Sequence, residues 1–481
     1  MIAKYQNILM ESVKMSSDHY PPPNRGRLGA IADYFQFTQF QTNFRTETLA
    51  GITTFMTMAY ILVVNPMILS DAIFINQSGD LFAQLVVATG ISAAIGTLIM
   101  ALLANYPFAQ APGMGLNAFF AYTVVLRLGI DWKLALSSVF IEGLIFIGLT
   151  LSNIRRQIIT AIPNSLKNAT AAGIGLFIAY LGLASNIETG GAGIIVANEV
   201  TKTAFGSLRE PQTLVAIAGI LITSALVVRR IKGSLLWGIL ATAILGWILG
   251  ITPWPQGIIE FPPFPTELFG QAFLGMINLN TQNFLDFIAI TFVFLFVDLF
   301  DTIGTLTGVA IKAGYIDENG ELPRANQALM ADAIATTSGA ILGTSSVTTY
   351  IESAAGVSEG GRTGFTSVIT AILLGLSILF IPVLKAIPAY ATTPTLVIVG
   401  VLMLSNITQI HWQDLGEAIP AFLTLFTIPL TFSIAEGLSI GFISYPLLKT
   451  FQGKIHEVSL ATWILAGVFV VRFVFMTVRF G

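Results

Sequence analysis

The feature that most constrains this chain is its supply of long uncharged apolar runs. From Leu49 nearly to the C-terminus, runs of about 17 residues or more alternate with short polar breaks, and a helix of roughly that length crosses the ~30 Å hydrocarbon core of a bilayer. Charged residues are 10% of the chain and apolar ones 54%, with a mean hydropathy of +0.79, whereas an ordinary soluble domain carries roughly 25% charged residues. So few charges cannot clothe a water-soluble surface. The sequence therefore predicts an all-α polytopic membrane protein, with the lipid bilayer as its main solvent and partner.

Several function classes drop out early. The formal net charge is −3 and no basic stretch is long enough to follow a phosphate backbone, so no nucleic-acid partner is expected. The chain has no cysteine, which removes disulfides, thiolate nucleophiles and Cys-ligated metals together. Its histidines, His19, His411 and His456, lie outside or at the edges of the apolar runs, so neither a buried metal nor a cofactor is expected. Residues 1–48 show no short apolar core followed by a small-residue cleavage site, and no cleavable signal peptide is expected. Within them, the spacing of Leu28, Ile31, Tyr34, Phe35 and Phe40 suits an amphipathic helix in the interface, with a disordered tail as the alternative.

Hydropathy places spans at 49–70, 81–104, 111–128, 134–152, 169–184, 213–229, 235–251, 284–312, 327–343, 347–358, 365–384, 393–407, 417–433 and 434–449. A last apolar segment, 459–478, is interrupted by Arg472 and admits either another span or an interfacial helix. Lys and Arg near span ends favour the cytoplasm. A cytoplasmic N-terminus puts Lys4, Lys14, Arg25, Arg27, Arg45, Arg155, Arg156, Lys167, Arg229, Arg230 and Lys232 on that side, with Lys312, Arg324, Arg362, Lys449 and Lys454 following. The stretch 251–283, assigned outside, has no Lys or Arg; Lys133, Lys202, Arg209 and Lys385 run against the pattern.

Two spans are unlike ordinary membrane helices. Ala111–Tyr122 reads APGMGLNAFFAY, and Thr344–Ala355 reads TSSVTTYIESAA; both are too short or too polar to cross alone as helices. The first span begins near Leu49 and the eighth near Phe284, an offset of 235, and adding 235 to Asn117 gives Glu352. The two segments are thus equivalently placed in two halves. Seven spans per half is an odd number, so the second half is inverted, and interrupted spans in matching positions point to a transporter's binding site. Gly113 and Gly115 in one segment, and Ser346 and Thr348 in the other, mark the expected helix breaks.

An acidic side chain inside a span is expensive in lipid and is a site hypothesis by default. Asp298 and Asp301 are three apart on the eighth span, whose midpoint is 298, and Glu352 lies in the tenth. The alternative for each is a structural carboxylate bonded to backbone donors freed at the breaks. Glu142 and Glu436 are read as structural or peripheral. The candidate spans carry no central Lys or Arg, so helix N-termini offer the positive end while carboxylates accept from substrate N–H groups. A flat neutral molecule with alternating donors and acceptors, such as a nucleobase, satisfies both. Phe119, Phe120, Tyr122, Phe296 and Phe300 are candidate stacking faces. Desolvation disfavours a carboxylate's charged form, so proton coupling follows; sodium coupling through Thr and Ser at 344–349 is the less favoured alternative.

The stretches APGMGLNAFFAY (111–122), DLFDTIGTLTG (298–308) and TTYIESAAGVSEGGRTG (348–364) resemble the AzgA-like adenine, guanine and hypoxanthine permeases of the nucleobase–cation symporter, or xanthine–uracil permease, superfamily. The likeness runs from about Phe44 to Lys449. It implies about fourteen transmembrane spans in a 7+7 inverted repeat. Spans 1–4 (49–152) and 8–11 (284–384) would form a core domain, and spans 5–7 (169–251) and 12–14 (393–449) a gate domain, with an elevator-like motion between them. Spans 3 and 10 would each be a short strand followed by a half-helix. By motif, Asp301 resembles the carboxylate that grips the base and Glu352 its tenth-span counterpart, while Asn117 and the Ala118 amide resemble the third-span contacts. Asp298 resembles a second eighth-span carboxylate serving coupling or architecture. A homodimer through the gate and a plasma or inner cell membrane location are also implied. Uracil-type relatives carry a His four residues beyond the base-gripping carboxylate, where this chain has Thr305, which leaves the carboxylates as the proton carriers.

Two rivals remain. An anion transporter of the same fold needs fixed positive charge at the start of the tenth-span helix, where this chain has Glu352. An intramembrane enzyme needs a nucleophile with a base, a metal cluster or a cofactor motif; HExxH does not occur, cysteine is absent, and the histidines lie outside or at the edges of the apolar runs.

Overall fold

The computed structural model describes residues 27–73, 81–152, 163–280, 283–316 and 322–480, and these are mostly helical. Most of the N-terminal tail, residues 1–26, and the basic pair Arg155 and Arg156 lie outside the described residues. In chain order come α1 (Arg27–Tyr34), α2 (Phe44–Met58), α3 (Ile61–Ile73) and α4 (Leu81–Ile99), the last continued by a π-turn over Met100–Ala104. Strand β1 (Gln110–Pro112) runs into α5 (Met114–Ala118), which widens into a π-helix over Phe119–Arg127. Then follow α6 (Trp132–Leu151), α7 (Asn164–Leu183), the hairpin β2 (Ile195–Asn198) and β3 (Lys202–Phe205), α8 (Pro211–Val228), α9 (Ser234–Ile248) and α10 (Gln271–Ile277). The second half holds α11 (Phe284–Ala313), α12 (Ala325–Leu342), β4 (Val347–Thr349), α13 (Ser353–Ser358), α14 (Gly364–Ser377), α15 (Ile381–Ala386), α16 (Ala389–Leu404), α17 (Leu415–Thr431), α18 (Ile434–Phe451) and α19 (Leu460–Phe480).

Among the described residues, eight helical stretches are long and apolar enough to cross a membrane, and α9, α17 and part of α19 are shorter apolar helices. Large aliphatic side chains such as Leu221, Ile372 and Val401 are exposed on their outer faces, as a lipid-facing surface requires. The segment read as an interfacial helix or a tail is helical only over α1. Its following turn buries Phe35 and Phe37, whose rings each lie 5.7 Å from that of Phe365 on α14.

The helices pack in two groups. In one, α2, α4, α6, α11, α12 and α14 lie against one another; in the other, α7, α8, α16, α17 and α18 do. Small residues allow close approach within the second group: a Cβ added to Gly175 on α7 would stand 2.9 Å from the Gly400 carbonyl of α16. The first group uses buried polar joints. Glu47, fully buried in the first turn of α2, accepts from the backbone N–H of Arg362 (3.0 Å), Thr363 (3.3 Å) and Thr366 (3.3 Å), and from the Thr366 hydroxyl (2.6 Å). It thereby satisfies the free amides at the start of α14.

The strands β1 and β4 come from opposite halves and pair antiparallel, with Gln110 opposite Thr349, Ala111 opposite Thr348 and Pro112 opposite Val347. Two strands alone leave two edges of unpaired backbone groups, which are costly in a dry interior. Each edge is closed by a threonine from the helix before it. Thr97 of α4 accepts from Gln110 N–H (2.9 Å) and donates to its carbonyl (3.0 Å). Thr336 of α12 accepts from Val347 N–H (3.2 Å) and donates to its carbonyl (2.9 Å). The same device in the same place in both halves turns the ribbon into a satisfied unit at the centre of the first helix group.

Candidate functional site

The site is built where the ribbon gives way to helices. At Gly113 the chain leaves β1, its N–H bonded to the Ser346 carbonyl at 2.9 Å. A Cβ there would meet Thr348 Cγ2 at 2.8 Å and Asp301 Oδ2 at 3.5 Å, so any side chain would have to displace Thr348, and the Asp301 carboxylate lies over the start of α5. Two residues on, a Cβ at Gly115 would meet Ile174 of α7 at 2.7 Å, which brings this short helix against the second helix group.

Glu352 sits at the N-terminal boundary of α13. Tyr60, fully buried at the break between α2 and α3, donates its hydroxyl to Glu352 Oε1 at 2.7 Å. The Thr57 hydroxyl donates to the Glu352 carbonyl at 3.4 Å. Asp301 and Glu352 are partly exposed and within electrostatic range of one another and of Tyr350. Tyr350 reaches back across the ribbon, donating to the Pro112 carbonyl at 2.5 Å. Asn117, fully buried, accepts a short bond from the Ser345 hydroxyl, and its amide nitrogen has no hydrogen-bond partner. Ala118 closes α5 beside it and is also buried. The structure thus brings Asp301, Glu352, Gly113 and Thr348 to one junction, with Asn117 one helical turn beyond Gly113 on α5.

Other expected site residues lie elsewhere. Asp298 is fully buried toward α12, where the Thr336 hydroxyl approaches Oδ2 at 3.5 Å. Phe296 packs its ring 4.6 Å from that of Phe292 and 6.4 Å from that of Phe469 on α19. Five residues before Asp301, it is roughly 140° away around the helix. Ser346 donates its hydroxyl to the fully buried Glu142 at 3.1 Å, so Glu142 anchors the ribbon's end. Glu436 pairs with Arg472 at 3.3 Å.

Sequence reasoning missed four members of this assembly. Asp332 of α12 is fully buried and takes Gln110 Nε2 (3.1 Å), Thr349 N–H (3.1 Å), Thr349 Oγ1 (3.4 Å) and Thr302 Oγ1 (2.6 Å). The rule that flagged Asp301 applies equally to an acid in 327–343 and would have found it. Gln110 is its partner on β1. Tyr60 and Tyr350 carried no comparable signal, since an aromatic in an apolar run is ordinary.

The permease family matches residues 45–440. The guanine/hypoxanthine permease PbuG of Bacillus subtilis (strain 168) is 44% identical over 451 residues, covering 92% of this chain and 99% of that protein. The adenine permease AdeP of Escherichia coli (strain K12) is 41% identical over 449 residues, covering 93% and 97%. Among solved structures, the transmembrane domain of the cyanobacterium bicarbonate transporter BicA superposes with a TM-score of 0.57 at 16% identity, covering 83% of this chain and 97% of that one. That last likeness is one of fold.

Proposed function

The chain belongs to the permease family and is a multi-pass membrane protein, and we propose that it imports purine nucleobases, namely hypoxanthine, adenine and guanine, by proton symport. The observation that carries this reading is the junction at Gly113. There Asp301 and Glu352, two partly exposed carboxylates, lie within electrostatic range of one another, and the unpartnered amide nitrogen of buried Asn117 belongs to the helix that starts at the same point, one turn beyond Gly113. Carboxylates take N–H groups of a base, and an amide N–H takes a carbonyl or ring nitrogen. A planar neutral base offers both along one edge. The names of PbuG and AdeP, as guanine/hypoxanthine and adenine permeases, support the substrate class.

Coupling follows from the same pair. Two ionised carboxylates in mutual range repel, and a proton held there removes the repulsion and leaves a donor as well as acceptors for the base. Sodium coupling remains the alternative for the ion. An anion carrier, suggested by the shared fold with BicA, is disfavoured because Glu352 stands where an anion would sit at the start of α13.

The architecture goes with this reading. We take α2–α6 and α11–α14 as a core domain and α7–α9 and α16–α18 as a gate domain, fourteen spans in a 7+7 inverted repeat with the third and tenth broken at the ribbon. The two packing groups and the matched Thr97 and Thr336 clamps support that division. Rigid movement of the core against the gate would carry the Gly113 junction across the membrane, with the N-terminus cytoplasmic, the protein in the cell membrane and the gate available for a homodimer.

The test is uptake of labelled hypoxanthine in cells lacking their own purine permeases, in competition with unlabelled purines and pyrimidines. Purines should compete and uracil should not. External acidification should raise uptake, and a protonophore should stop accumulation. Uptake that follows sodium and ignores pH would overturn the proton, and competition by bicarbonate but by no purine would overturn the substrate.

A further inference from the structure

The C-terminal helix α19 shows an arrangement of side chains opposite to that of a helix lying on a membrane. Its protein-facing stripe is Thr462, Leu465, Ala466 and Phe469, all buried, at the helical spacing of one face. Its outward stripe is Leu460, Ile464, Val468, Val471 and Val474, all exposed and all aliphatic. An interfacial helix turns charged groups outward to water. Here Arg472, the one charge among the described side chains of α19, turns inward and is 9% exposed. An outward face of Leu, Ile and Val is what hydrocarbon accepts.

The neighbours of α19 give its direction. Phe469 stacks 5.5 Å from Phe442 of α18, and Arg472 Nη1 donates to Ser439 Oγ at 2.9 Å. Three residues forward on α19 match three residues back on α18, so the helices run antiparallel side by side. Arg472 Nη2 reaches Glu436 Oε1 at 3.3 Å, close to the far end of α18. With 21 residues, α19 is about 31 Å long at 1.5 Å per residue, enough to cross the hydrocarbon core. Its Phe469 ring also lies 5.9 Å from Phe292 and 6.4 Å from Phe296, both on α11, the helix that carries Asp301. Through one buried ring, α19 therefore touches both the helix that presents Asp301 and a helix of the other packing group.

We propose that α19 is an additional transmembrane span that retraces α18 and braces α11, with Arg472 as its positioning residue and Glu436 and Ser439 as the anchor. An arginine at this depth is tolerated when it is paired, and the pair fixes how far along α18 the helix sits and so where Phe469 meets α11. The C-terminus then lies on the membrane face opposite the turn between α18 and α19. That topology does not depend on what is transported; the positioning role rests on the purine-transport reading above.

The chain has no cysteine, so single cysteines can be read directly with a membrane-impermeant maleimide on intact and permeabilised cells. His456→Cys, in the exposed turn between the two helices, and Gly481→Cys, at the C-terminus, should label from opposite faces, with Gly481→Cys matching Phe261→Cys in the loop before α10. Labelling of His456→Cys and Gly481→Cys from the same face would overturn the span. For Arg472, the readout is hypoxanthine uptake against concentration. Arg472→Gln should lower the maximal rate about tenfold with KM within twofold, Glu436→Gln should reproduce it, and Arg472→Lys should restore most of the rate. Wild-type rates in Arg472→Gln would overturn the positioning role. If Arg472→Gln does not reach the membrane, the exchange variant Arg472→Glu with Glu436→Arg decides: recovered uptake supports the anchor, and none overturns it. A wild-type chain that takes up no purine would sink the transport reading and leave the labelling result standing.

Discussion

Two carboxylates on the ribbon's flanks, Asp332 and Glu352, are only twenty residues apart and live in different chemistry. Asp332 is fully buried and takes four contacts from the chain itself, from Gln110, Thr302 and the N–H and hydroxyl of Thr349. Glu352 is partly exposed, takes the Tyr60 hydroxyl, and faces the charge of Asp301. Alternation along a strand explains the split: paired Gln110 and Thr349 turn to one face, toward Asp332, and Thr348 turns to the other. Thr302, adjacent to Asp301, joins the two sides by donating to Asp332 at 2.6 Å and meeting Thr348 Oγ1 at 3.0 Å. The difference teaches that an acid inside a membrane protein is not one kind of object. The fully buried acid, ringed by the chain's own donors, holds structure; the partly exposed one, beside a second carboxylate, is the one we propose meets a ligand.

The comparison is broken most directly at the open side. Asp301→Asn and Glu352→Gln keep size and remove charge, and each should reduce hypoxanthine uptake by about 100-fold or more, as expected when a charge-assisted hydrogen bond to substrate is lost. Membrane abundance and melting temperature should stay close to wild type. The double variant should be scarcely worse than either single one, because the two act as a unit. Uptake within twofold of wild type in both single variants would remove the junction from the site.

The closed side should fail in the other way. Asp332→Ala leaves the Gln110 amide, the Thr349 N–H and the Thr302 hydroxyl without their acceptor in a dry interior. The expected loss is about 3 kcal/mol of stability, seen as reduced abundance and a lower melting temperature in detergent. Surviving protein should keep a near-normal KM. If Asp332→Ala folds normally and changes KM instead, the division between holding and binding is wrong.

How far the sequence reached follows the same division. That the chain is a multi-pass helical membrane protein was legible because hydropathy reports the solvent, and the segments that pair as the ribbon stand out because APGMGLNAFFAY and TTYIES depart from the composition of a lipid-facing helix. What periodicity cannot give is which way a side chain turns once a helix is fully surrounded. Asp298 and Asp301 share a helix face at three-residue spacing, yet Asp298 is buried toward Thr336 and Asp301 opens toward Gly113. Phe296 looked like a stacking face and lies against Phe292 and Phe469, because α19 occupies that side of α11. Tyr60 was invisible for a third reason: its partner, Glu352, is 292 residues away.

Tyr60 sharpens the comparison at smaller scale. Tyr60→Phe removes the hydroxyl that donates to Glu352 Oε1 and preserves the ring. Glu352 keeps its charge but loses a fixed orientation. KM for hypoxanthine should rise roughly tenfold, near the low end for a hydrogen bond to a charged group, while abundance is unchanged. No change in KM would mean that the substrate does not meet Glu352 in the orientation Tyr60 sets.

A third carboxylate supplies the control with the smallest expected effect on transport. Asp414, just before α17, is held well below the usual carboxylate range, first by the Gln452 amide at 2.8 Å, then by Lys449 at 3.0 Å and Lys454 at 3.2 Å, and by the Gly416 N–H at 3.0 Å. A carboxylate whose folded-state pKa is depressed contributes stability above its unfolded value of roughly 3.9, and loses it only as pH falls through the depressed value. Between pH 5 and 8 its protonation does not change, so it cannot shape a pH response of uptake in that window. Asp414→Asn should therefore lower the melting temperature modestly, leave the purine KM alone, and preserve the stimulation of uptake by external acid. That stimulation should vanish in Asp301→Asn or Glu352→Gln wherever residual uptake can be measured. If Asp414→Asn abolishes the pH response and the junction variants keep it, the proton is carried at the membrane's edge, and the opening beside Gly113 binds substrate without coupling it.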